Sequence, residues 1–180
     1  MKHFRQIDYP GLGSVLYALH TELLLNEHLW NADQSRQRRV QVQRHTQSIP
    51  LRGPRRRQGD GRKIEDIHES QLTRYASSFP ATLSFMNRVA HFLNGSLERA
   101  LYVRLAPKSV VYPHIDGGEY YAVRDRYHFV VRSPTGSLLK SGSEQVIMQP
   151  GELWWFDNKA LHDSDNQSDE WRVHLIFDLF

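Results

Sequence analysis

Two textures divide the chain. Up to about residue 97 the apolar positions recur at helical spacing, and beyond it they come in short β-branched and aromatic runs broken by Pro and Gly. In "LGSVLYALHTELLLNEHLW", residues 12–30, Leu12, Val15, Leu16, Leu19, Leu23 and Leu24 form one apolar stripe, which predicts an amphipathic helix packed on the outside of something else. "PATLSFMNRVAHFLNG", residues 80–95, predicts another, with Pro80 in the first turn and Gly95 as the stop. Between them "KIEDIHESQLTRYASSF" also reads as a helix.

From residue 98 seven strands are expected: "RALYVRLA", "SVVYPHI", "RYHFVVRS", "SLLKSG", "EQVIMQ", "GELWWFD" and "EWRVHLIFDL". "SPTG" and "QPGE" are turns, because Pro fixes φ and Gly supplies positive φ. Seven strands with long connections at 117–125 and 158–169 predict a small antiparallel sandwich or jelly roll. No repeat or low-complexity linker interrupts the chain, so the expectation is one α+β domain over 1–180, mainly helical over 1–97 and barrel over 98–180.

Strand alternation sorts the side chains. In the last strand Arg172, His174 and Ile176 share one face and Val173, Leu175 and Phe177 the other. In "RYHFVV" Arg126, His128 and Val130 share one face and Tyr127, Phe129 and Val131 the other. Each strand thus sends an Arg and a His toward one predicted cavity. An arginine on an otherwise apolar strand is costly unless paired, and a small molecule bearing a carboxylate would pair it through a bidentate fork.

Composition narrows the chemistry available to that cavity. The chain has no cysteine, which excludes disulfides, thiolate metal sites and a cysteine nucleophile, so any metal must use His, Asp or Glu. The start "MKHFRQIDYPGLG" lacks the apolar stretch of a signal peptide, and no apolar run approaches a membrane span, so a cytoplasmic protein is expected. The net charge of +3 conceals ten Lys or Arg and one Asp over residues 36–63, which is +9, against −6 elsewhere. That segment is either a solvated loop or a surface for a polyanion, although no aromatic residues sit between its arginines to stack bases.

His114-x-Asp116 in "VYPHIDGGEYY" says little alone, since ten histidines and 20 acids in 180 residues give about one such pair by chance, and His20-x-Glu22 matches as well. The second match falls in the first helix and reads as polar surface. His114 differs because it ends an apolar strand and is followed by a second histidine, His162, 48 residues on, after "GELWWFDN". Two histidines and a carboxylate on rigid strands are the facial triad of a non-heme Fe(II) oxygenase, and zinc would accept the same donors. Asp116 before Gly117-Gly118 also suits a turn-capping Asx residue.

The ordered set of Pro-His-x-Asp, Arg126-x-His128, a Phe-Asp-Asn strand end, then His162 with Arg172 ten residues on and "IFD" after it, resembles the aspartyl/asparaginyl β-hydroxylase family of Fe(II)/2-oxoglutarate dioxygenases over roughly residues 100–180. The same strands are similar to bacterial free-proline hydroxylases. The resemblance implies a double-stranded β-helix, or cupin-like jelly roll, with the N-terminal helices outside the barrel. It implies His114 and His162 as iron ligands, Arg172 on the distal carboxylate of 2-oxoglutarate, and Arg126 and His128 near the other end of that co-substrate. Asn166, four residues after His162, also falls on a familiar position.

One departure stands out. The vertebrate members carry glycine two residues after the first histidine, whereas this chain has Asp116 and so a complete His114, Asp116, His162 triad. The chemistry implied couples conversion of 2-oxoglutarate and O2 to hydroxylation of an unactivated C–H bond, on an amino-acid unit that is free or within a peptide or protein. Tyr120, Tyr121 and His174 are candidate substrate contacts, Asp157 a turn residue, and Trp154, Trp155 and Trp171 packing residues, with Trp155 facing away from Trp154. Two other classes stay open: an oxygenase of nucleic acid or an RNA-bound protein acting through residues 36–63, and a non-catalytic cupin-like metal-binding module.

Overall fold

The computed structural model describes every residue except 35, 36 and 39, and it consists of two facing antiparallel sheets with helices on the outer side of the larger. In chain order the elements are β1 (Phe4–Gln6), α1 (Leu12–Leu25), β2 (Thr46–Pro54), β3 (Ser70–Leu72), α2 (Pro80–Phe92), β4 (Leu97–Leu105) and β5 (Ser109–His114). They continue with the single-turn α3 (Glu119–Ala122), β6 (Asp125–Arg132), β7 (Ser137–Ser141), β8 (Glu144–Val146), β9 (Leu153–Phe156), β10 (His162–Asn166) and β11 (Arg172–Leu179). The large sheet runs β1-β9-β6-β11-β4-β2-β3 and the small one β5-β10-β7-β8. No helix among the described residues is long and apolar enough to cross a membrane.

The alternation on β6 and β11 is realised as predicted. Tyr127, Phe129, Leu175 and Phe177 point outward and pack with Val15, Leu19 and Leu23 of α1 and Phe85, Met86 and Val89 of α2. The opposite face looks between the sheets, where Val130 and Phe156 meet Leu139, Val146 and Met148. Trp154 joins this inner cluster and Trp155 the outer one, as their neighbouring positions require.

Glu22 has a structural job. Its carboxylate accepts the Ala81 and Thr82 N–H groups at 2.6 and 3.0 Å and the Thr82 hydroxyl at 2.6 Å, so α1 caps the N-terminus of α2. At the other end of α2 the left-handed residue is Asn94, φ 54°, rather than Gly95. The Asn94 N–H reaches the His91 carbonyl at 3.1 Å and the Gly95 N–H reaches that of Ala90 at 2.9 Å, a Schellman closure. Gly95 serves another purpose: a Cβ there would lie 3.2 Å from the Phe180 carbonyl.

Four segments differ from expectation. Residues 63–79 are not a helix but two short turns around β3, because the Arg99 guanidinium takes the carbonyls of Ile64 and Ile67 at 2.7 and 2.8 Å, the groups a helix would use itself. The basic segment is not one solvated loop. It contains β2, which pairs along β4 and buries Ile49 and Leu51 completely. Pro50 hid this strand; it sits where the register with β4 shifts, and its carbonyl accepts the Thr73 hydroxyl at 2.6 Å. β10 lies in the expected connection 158–169 and has no apolar residue, since its buried positions His162, Ser164 and Asn166 all carry polar groups. β1, absent from the expectation, pairs with β9.

Candidate active site

β5 and β10 are neighbours in the small sheet with His114 opposite His162, which sets the two rings 4.2 Å apart. Each ring is oriented by its own strand. His114 Nδ1 lies 2.7 Å from the Tyr112 carbonyl and His162 Nδ1 lies 3.0 Å from that of Ala160. Both Nδ1 atoms are thus hydrogen-bonded to carbonyls, which leaves Nε2 as the nitrogen with a free lone pair. Just past β5, Asp116 is tied back by its N–H to the Asn158 carbonyl at 3.1 Å. One donor atom from each of His114, Asp116 and His162 lies within 4.8 Å of the others, so the three residues could hold one metal ion.

The two oxygens of Asp116 have different surroundings. Oδ2 accepts Arg126 Nη1 at 2.5 Å and Asn158 Nδ2 at 3.0 Å, while Oδ1 faces His114 Nε2 at 3.9 Å. Burial alone would push this carboxyl up, but Arg126, His162 and Asn158 together hold it below the ordinary value. Gly118, two residues on, needs its φ of 104°, and a Cβ there would meet Glu65 at 2.7 Å. The loop after the histidine-aspartate pair is therefore pressed against residues 64–66, with the Glu119 N–H donating to Asp66 at 3.1 Å.

From the triad a cleft runs inward between the sheets, lined by Gln43, Arg126, His128 and Arg172 among others. Arg172 is buried and donates to Ser164 Oγ at 3.2 Å, while its Nε has no partner and it forms no ion pair among the described residues. Burial pulls its pKa down to about 10, opposed only by the charge of Asp165. A buried cation without a carboxylate is a ready seat for an anion. His128 lies behind the triad with Nδ1 3.1 Å from His174 Nδ1, and the Nε2 atoms of both rings have no partner among the described residues. Burial drives both histidines well below 6.5, so both are neutral.

The expected site residues do not all share this cleft. Tyr120 is fully buried, with its hydroxyl 3.2 Å from Asp178 and its ring between the Arg99 and Arg124 guanidinium groups at 3.7 and 4.2 Å, so it is no rim residue. Tyr121 is half-buried and carries Arg126 5.0 Å over its ring. His174 lies behind Arg172, outside the lining of the cleft. Arg126 lines the cleft as expected, yet its guanidinium is engaged by Asp178 and Asp116. Asn166 ties β10 to β4 through the Leu105 and Ala106 carbonyls at 3.2 and 3.0 Å. Asp157 is the expected turn residue and accepts the Lys159 N–H at 3.1 Å.

Gln43, Asn158 and Asp178 were missed. Gln43 Nε2 stands 3.5 Å from His114 Nε2, and no pattern in the arginine-rich stretch around it signals a site residue. Asn158 and Asp178 each end a quoted motif, "FDN" and "IFD", which was the available signal.

The family model for aspartyl/asparaginyl β-hydroxylase matches residues 31–180. The chain belongs to this family. It is accordingly an Fe(II)- and 2-oxoglutarate-dependent hydroxylase, which removes the non-catalytic metal-binding module from consideration. No curated protein sequence matches the chain. Among solved structures, the viral collagen prolyl hydroxylase of Paramecium Bursaria Chlorella virus-1, solved with 2-oxoglutarate, is 10% identical with a TM-score of 0.57, over 98% of this chain and 95% of that one. HygX from Streptomyces hygroscopicus, solved with nickel, 2-oxoglutarate and hygromycin B, is 14% identical with a TM-score of 0.57, over 98% and 82%. A 2-oxoglutarate-Fe(II) oxygenase family oxidoreductase from Burkholderia pseudomallei is 12% identical with a TM-score of 0.55, over 98% and 93%. At these identities the likeness is one of fold, and the hydroxylase family itself rests on the model that covers β2 to β11.

Proposed function

We propose that the protein, acting as one dioxygenase domain, hydroxylates a C–H bond of an amino-acid unit, either free or as an Asp- or Asn-like residue in a peptide or protein. His114, Asp116 and His162 are the metal ligands in this reading, supported by their convergence within 4.8 Å and by the carbonyls that direct both Nε2 atoms to a common point. Arg172 holds the distal carboxylate of 2-oxoglutarate. The observation that carries the assignment is its burial without an acidic partner among the described residues, in the cleft below the triad.

Bound by the triad, Fe(II) with 2-oxoglutarate and O2 supplies the oxidising power for C–H hydroxylation, with succinate and CO2 as the other products. The protein's own residues do the aiming. His128 offers an unpartnered Nε2 in the same cleft and suits a hydrogen bond to the nearer end of the co-substrate. Arg126 engages three N–H groups with Asp178 and Asp116 and retains two, so it can donate there as well. Tyr121, beside Arg126 and half-exposed, suits a rim contact for substrate.

The nucleic-acid reading draws less support. Arg52 is turned into the sheet toward the Glu98 carbonyl at 2.7 Å, and Arg62 is exposed but paired with Asp60 and Glu69, which leaves Arg55, Arg56, Arg57 and Lys63 as the other exposed cations between β2 and β3. Succinate formation with Fe(II) and 2-oxoglutarate across free amino acids, acidic peptides and oligonucleotides decides between them. Stimulation by an amino acid or peptide supports the proposal. Stimulation only by an oligonucleotide, with steep salt dependence, would replace it.

A further inference from the structure

Asp178 near the end of β11 stands directly opposite Arg126 on β6. The guanidinium forks onto this carboxylate, Nε to Oδ1 at 2.8 Å and Nη2 to Oδ2 at 3.0 Å, and sends Nη1 on to Asp116 Oδ2 at 2.5 Å. Asp178 is itself fixed by the Tyr120 hydroxyl at 3.2 Å, and that hydroxyl accepts the Arg99 N–H at 3.0 Å. Arg126 and Asp178 are 7% and 2% exposed, so solvent does little to screen the set.

We propose that Asp178 is a positioning residue for the metal centre, acting through Arg126 on Asp116; this rests on the metal-ligand reading given above. Two effects follow from the geometry. The fork locks the guanidinium so that it engages Oδ2 of Asp116 and leaves Oδ1 turned toward His114. The charges matter as much. With Asp178 present, two carboxylates share one guanidinium and one negative charge remains for a divalent cation. Without it Arg126 would neutralise Asp116 outright and compete with the metal for its charge. The relay also gives Tyr120 a role at a distance from any substrate, as the anchor of Asp178.

The test is Mn(II) titration of the full chain by calorimetry, with circular dichroism and thermal unfolding as controls for the fold. Asp178→Asn keeps the shape and removes the charge, and its Mn(II) affinity is expected to fall about 10- to 100-fold, with partial recovery in Asp178→Glu. Tyr120→Phe, which keeps the packing and removes only the hydroxyl, is expected to lose roughly twofold to fivefold and supplies the result should Asp178→Asn not fold. A folded Asp178→Asn protein that binds Mn(II) within about twofold of the parent overturns the proposal. His114→Ala and Asp116→Asn separate the two readings. If they too bind Mn(II) normally, the metal-centre assignment has failed and this inference with it.

Discussion

Two buried arginines face the same cleft and are treated in opposite ways. Arg126 is surrounded by Asp116 and Asp178, and although burial works against its charge, the two carboxylates hold its pKa well above the ordinary value. Arg172, on the strand next to it, has a serine hydroxyl and, among the described residues, no carboxylate, and burial lowers its pKa. A charge buried with its counter-ions belongs to the architecture. One buried without them is a standing cost that binding of an anion repays. In the proposed function, the contrast divides the cleft into an end that shapes the metal ligands and an end that waits for co-substrate.

Substitution separates the two arginines most clearly. Arg126→Met leaves two buried carboxylates unpaired and is expected to destabilise the protein by about 3–5 kcal/mol in urea unfolding. Arg172→Met removes a charge with nothing to pair it, so the same measurement is expected to show a gain of about 1–3 kcal/mol. The same variant should lose the thermal stabilisation that 2-oxoglutarate gives the metal-loaded parent. Equal losses from both substitutions would mean that Arg172 has a partner of its own and is not the waiting end.

A smaller effect comes from His128 and His174, the neutral pair between the two arginines. Burial keeps both uncharged in the folded state, while the unfolded chain takes up protons near pH 6.5. The unfolded state therefore binds more protons as pH falls, and stability decreases from about pH 6.5 downward. Between pH 7 and 5.5 the loss should be about 2 kcal/mol for the two groups, and His174→Leu should roughly halve this slope. A parent stability flat over that range would show that the pair is charged or exposed. Smallest of all, Tyr121→Phe should leave stability within about 0.5 kcal/mol and change only substrate affinity, read as KM against kcat once a substrate is found.

The parts of this arrangement that follow local periodicity were legible in the sequence. Alternation on β6 and β11 sorted Arg126, His128, Arg172 and Ile176 onto the cleft face, and His114 was legible as the end of its strand, with His162 following "GELWWFDN". What depends on contacts distant in sequence was not. Tyr120 looked like a substrate contact because it follows the histidine-aspartate pair on a glycine-rich loop, whereas Arg99 and Asp178, from elsewhere in the chain, hold it in the interior. β2 and β10 lack the apolar alternation that marks a strand, the first through Pro50 and Arg52, the second because its inward residues face a polar cleft. Arg126 and Arg172 read alike in one dimension. Only the register that sets Asp178 opposite Arg126 tells them apart.

In the proposed function Arg172 is the seat of the co-substrate. Calorimetric titration of 2-oxoglutarate into the Mn(II)-loaded parent and into Arg172→Met tests it most directly. One molecule is expected to bind per parent chain, with an affinity at least about 100-fold weaker in the variant, as loss of a buried charge-assisted pair demands. A variant that binds 2-oxoglutarate as tightly as the parent would contradict it.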